Sequence, residues 1–126
     1  MNKEVYNKLK ELKTEEFIWI IYIFIIIYSF YSNNLERKYF LSGDLTSKEK
    51  YRKSLIIIFS ILIIVYLYFL NDAYNSIKQL TPQDSINKKN LTYLSFIAAL
   101  LIAISGFIFL YVAYKDENID VEIAFN

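Results

Sequence analysis

The chain has 126 residues, 56% of them apolar and 18% aromatic, with 14 Lys and Arg against 13 Asp and Glu. So short a chain allows one domain, and so even a charge offers no electrostatic footprint for nucleic acid. Cys and His are both absent, which removes thiolate nucleophiles, disulfides and imidazole proton shuttles from consideration.

Residues 1–13 alternate Lys and Glu around Val5, Leu9 and Leu12. These three share one narrow helical stripe, so the segment reads as an amphipathic helix at a membrane surface, or else as a solvated, fraying extension. Thr14 then supplies an N-cap, with Glu15 and Glu16 suited to the start of a helix dipole. An uncharged apolar stretch follows, giving a first span over about 17–34, close to the roughly 20 residues that cross a bilayer core. The long charged lead and the sequence Tyr31-Ser32-Asn33-Asn34 do not match a cleaved signal peptide, so this span is expected to be retained.

Nothing between Leu35 and Leu41 breaks a helix, and Gly43 suits the position just beyond a helix end. Thr46 and Glu49 fit a capping box that restarts the chain. Helix 1 and helix 2 are therefore expected to project from the membrane as a hairpin turning near 42–45. Of the seventeen residues 54–70, thirteen are Leu, Ile, Phe or Val. Their summed insertion energy is on the order of −4 to −8 kcal/mol, so a second span at about 54–71 is strongly favoured. No polar face can be drawn on it, which argues against a soluble bundle. Helix 2 should continue to about Leu80, and Thr81-Pro82-Gln83-Asp84 supplies the next N-cap, N1 proline and N3 acid. A third span covers about 91–114. The resulting expectation is an all-α, multi-pass membrane protein with a three-helix domain over 14–115.

The acidic tail, 116–126, changes period. Ile119, Val121, Ile123 and Phe125 alternate with polar or small residues, as in a strand. A lone strand is unstable in water, so the tail should pair with a partner strand, lie on the membrane or stay disordered. Its carboxylates fit no calcium loop, and no metal or other cofactor is expected.

No span carries an ionisable side chain in its interior, which disfavours a proton-coupled carrier. The polar residues noted within the spans are Ser29, Ser60, Ser95 and Ser105, besides tyrosines. Trp19, Tyr22, Ser29 and Asn33 share one side of helix 1, as a polar seam toward partner helices or as an aromatic belt. Ser95, Ala99, Ala103 and Gly106 form a small-residue stripe that lets helices approach closely, within one chain or between copies. Lys48, Lys50, Arg52 and Lys53 are candidates for lipid headgroup contacts or for a topological anchor. Lys and Arg divide seven and seven between the two sides; the flanks of spans 1 and 3 favour an N-inside, C-outside arrangement, whereas the basic run before span 2 favours the opposite, and the expectation taken is N-inside.

These residues predict no catalytic chemistry. The expected role is a non-enzymatic accessory or regulatory subunit of a membrane assembly, sited in a bacterial plasma membrane. The bilayer is its first partner, with a larger membrane protein or a second copy as the next. An immunity protein against a membrane-active peptide is the alternative reading. A holin-like lesion former ranks below both, since holins commonly end in a basic tail.

Overall fold

A computed structural model describes residues 2–123, and the described chain is all-helical. Helix α1 spans Lys3–Ser42, α2 spans Leu45–Lys78 and α3 spans Ile86–Lys115. At 40, 34 and 30 residues, all three are long and apolar enough to cross a membrane. With ~1.5 Å rise per residue α1 is about 60 Å long, about twice the thickness of a hydrocarbon core.

The helix ends follow capping chemistry but not always at the expected residue. Asn2 caps α1 by accepting from the Glu4 N–H at 3.0 Å. The helix runs unbroken through Thr14, which is not a cap: its hydroxyl donates back to the Lys10 carbonyl at 3.2 Å. Once a helix is propagating, each further residue adds a hydrogen bond cheaply, and a back-bonded Thr does not interrupt it. Residues 3–13 are thus a continuation of the first apolar helix. Gly43 ends α1 with φ of 69° and donates its N–H to the Tyr39 carbonyl at 2.7 Å, the left-handed conformation that only glycine takes without penalty.

Helix α2 begins two residues after α1 ends, capped by Asp44 and not by Thr46. The Asp44 carboxylate accepts from the Thr46 N–H at 3.1 Å on one oxygen and from the Ser47 hydroxyl at 2.9 Å on the other. A similar displacement occurs before α3. Thr81 to Asp84 closes as a separate turn, the Thr81 N–H donating to the Asp84 carboxylate at 2.8 Å. The helix itself starts later, with Ser85 as N-cap to the Lys88 N–H at 3.1 Å.

Helix α2 is the centre of the molecule. Both α1 and α3 pack against it, α3 more extensively, and among the described residues the backbones of α1 and α3 do not come close. A cluster of Tyr51, Leu55, Phe59, Ala113 and Ile123 forms the core at the end where α1 turns into α2. Elsewhere large apolar side chains face outward: Phe24, Phe30 and Ile64 keep 67%, 68% and 69% of their surface exposed. Such a surface suits lipid better than water. It is compatible with an integral membrane location.

Candidate functional site

The backbones of α1 and α3 stay apart, and a cleft of about 570 Å³ opens between the two helices, floored by α2. Its walls are apolar, contributed by residues such as Ile26, Leu62 and Ile102. Four hydroxyl-bearing residues interrupt them: Tyr22, Ser29, Tyr66 and Ser105. Ser29 and Ser105 donate back to the carbonyls of Ile25 and Leu101 at 2.7 and 2.8 Å, which leaves their oxygen lone pairs available. Tyr22 stacks edge-on with Trp19 at 5.6 Å, but among the described residues neither Tyr22 nor Tyr66 has a hydroxyl hydrogen bond. In an apolar medium an unmet hydroxyl is costly, so the cleft favours an occupant that brings donors and acceptors.

The small-residue stripe of α3 explains how the cleft is shaped. Ala103 and Gly106 are buried against α2, Ala99 is half-buried and Ser95 is exposed. A Cβ added at Gly106 would meet Tyr66 Cδ2 at 3.0 Å and Ile63 Cγ1 at 3.2 Å, so the glycine lets the Tyr66 ring approach α3 closely. The stripe thus serves packing within the chain over its Ala103–Gly106 part. Of the polar seam on α1, Tyr22 and Ser29 face the cleft, whereas Trp19 and Asn33 are exposed.

The four basic residues before the second span do not form one patch. Lys48 donates to the Asn118 side chain at 3.3 Å and lies 5.4 Å from the Tyr39 ring centroid. Arg52 donates to the Tyr114 carbonyl at 2.9 Å, while its Nε is buried with no hydrogen-bond partner among the described residues. Lys53 pairs with Glu49 at 3.4 Å, and Lys50 is exposed. Two of the four therefore hold the end of α3 and the tail. In that tail Ile119 is half-buried, Val121 exposed and Ile123 buried, without strand structure; Phe125 lies outside the described residues.

Two features went unnoticed in the sequence. Ser32 and Ser54, both fully buried, join α1 to α2 through a 2.7 Å hydroxyl contact. Ser54 donates onward to the Tyr51 carbonyl at 2.6 Å, so Ser32 must be the donor of the pair. Toward the opposite end, carboxylate oxygens of Glu11, Glu15 and Asp72 lie within 4.8 Å of one another. Burial and then the charges of Glu11 and Glu15 raise the Asp72 pKa, with Lys8 opposing. Hard oxygens of this kind suit a divalent cation by donor type, but Lys8 already sits 3.8 Å from Glu11. The spacing of Glu11 and Glu15, four residues apart on one helix, was the available signal.

No protein-family model, curated protein or solved structure matches this chain.

Proposed function

We propose that the protein is a non-enzymatic accessory or regulatory subunit of a membrane assembly, and that its α1–α3 cleft seats a transmembrane helix of the larger partner. The cleft carries this reading. Its walls are apolar, its two free phenols need hydrogen-bonding counterparts, and an acyl chain could not provide them. A helix bearing Ser, Thr, Asn or Gln would satisfy those hydroxyls and close the gap that α1 and α3 leave open. The proposed setting is a bacterial plasma membrane with the N-terminus inside, as the charged flanks suggest.

Photo-crosslinking in the native host tests the reading. A crosslinking residue at position 22 or 105 should capture one and the same membrane protein. The outward positions 64 and 101, 69% and 58% exposed, should not. Ser105→Trp, which fills the cleft, should abolish the adduct while Leu101→Trp leaves it. Lipid adducts alone from positions 22 and 105 would overturn the proposal.

A further inference from the structure

We infer that residues 116–123 form a strap that closes reversibly over the core at the α1–α2 turn. Three sets of contacts hold it shut. The Asp116 carboxylate reverses the chain, accepting the Asp120 N–H at 2.9 Å and the Val121 N–H at 2.8 Å, one on each oxygen. Lys48 ties Asn118 from α2. Ile123, 5% exposed, plugs into the cluster of Tyr51, Leu55, Phe59 and Ala113, and Ile119 packs against the same cluster.

Against these ties stands one strained residue. Ile119 has φ of 57°, a left-handed conformation that a β-branched side chain rarely adopts. The strap has no helix or strand ladder of its own, so a few side-chain bonds and one plug oppose that strain. Such a balance makes closure local and reversible, independent of the three helices. Release would uncover the Tyr51–Ala113 cluster and free the alternating apolar residues Ile119, Val121 and Ile123.

Leu55 and Phe59 belong to this cluster and also line the cleft. Closure of the strap therefore bears on two residues of the cleft's floor and couples the strap to what the cleft seats. That last link rests on the reading of the cleft as a partner's seat; the closure itself does not.

Amide hydrogen exchange on the full chain in lipid nanodiscs, read by NMR without any partner, tests the closure. Asp116→Ala should speed exchange at the Asp120 and Val121 amides about tenfold or more, with Asp116→Asn intermediate because it keeps one acceptor oxygen. Ile119→Gly and Ile119→Ala both lose the side chain, but only glycine is at ease at positive φ. The glycine variant should exchange severalfold more slowly than the alanine variant. Exchange over residues 58–65 should stay unchanged in all four. The strap is refuted by peptide-like exchange at Asp120 and Val121 in the wild type, or by indifference to Asp116→Ala. Faster exchange in glycine than in alanine at 119 refutes it equally. So does a parallel rise over 58–65, which would make the tail an integral part of the core.

Discussion

Gly106 permits the sharpest test of the α2–α3 packing. A methyl group placed there would stand 3.0 Å from Tyr66 Cδ2, 3.2 Å from Tyr66 Cε2 and 3.2 Å from Ile63 Cγ1. Carbon atoms prefer about 3.5–4.0 Å, so each contact is compressed by several tenths of an ångström. Overpacking of this sort costs about 1–3 kcal/mol. An alanine in a helix interior returns about 0.8–1.0 kcal/mol relative to glycine. Gly106→Ala should thus destabilise by only about 0–2 kcal/mol, too small a range to be decisive alone. The double-mutant cycle with Tyr66→Ala is decisive. Tyr66→Ala removes two of the three close contacts, so Gly106→Ala in that background should be near neutral or stabilising. The expected coupling is about 1–2 kcal/mol, against the roughly 0.3–0.5 kcal/mol scatter of independent sites. Reversible unfolding in mixed detergent micelles supplies the four stabilities. Additivity within that scatter would show that Gly106 and Tyr66 are not in contact.

The serine pair gives an asymmetric prediction. Ser54→Ala leaves the fully buried Ser32 hydroxyl without its acceptor and should cost about 1–3 kcal/mol, whereas Ser32→Ala leaves Ser54 bonded to the Tyr51 carbonyl and should cost about 1 kcal/mol. Equal losses in the same unfolding assay would count against the assigned proton direction. The carboxylates give a prediction in pH. Asp72 is held above its ordinary value of 3.8 by burial and by Glu11 and Glu15, so its folded form binds the proton more tightly than its unfolded form. Its contribution to stability is complete below 3.8 and is lost as pH rises through the elevated value. Asp44, lowered chiefly by the Ser47 hydroxyl, and Asp84, lowered chiefly by the Thr81 N–H, act below 3.8 and in the opposite sense. Asp72→Asn should therefore flatten the pH dependence above 3.8 alone, and an unchanged slope there would refute the shift.

The spans were legible in the sequence because lipid is a uniform solvent. A block of apolar side chains needs no knowledge of its neighbours to choose it. Gly43 was legible for a similar reason, since a helix end at positive φ is a local demand. Caps were less so. Asp44 stands two residues from Thr46, and Ser85 four from Thr81. Each is worth about 1 kcal/mol, so the choice among them falls to side-chain bonds that only the folded turn displays. Of the small-residue stripe on α3, Ala103 and Gly106 are buried, whereas Ser95 is exposed, and where α3 leaves α2 is set by the crossing of the helices and not by the stripe. The Ser32–Ser54 contact depends on the register between two helices, which a two-residue turn sets. The cleft was invisible because it is made by two helices whose backbones stay apart.

Two local patterns show how far such signals reach. Alternation in the tail suits a strand paired with a partner, and it equally suits an extended chain lying on a surface, which turns alternate residues inward. Ile123 is buried and Val121 exposed without a second strand. Thr14 suggested a cap, yet the pattern that marks a helix start is tolerated inside a helix already formed. Dividing the chain at Thr14 assigns Glu11 and Glu15 to different elements, and only an unbroken α1 places them on one face, opposite Asp72. The acidic group thus follows from the continuity of the helix rather than from any motif. Local patterns state what a segment can do; which option is taken depends on whether the chain arrives there already folded.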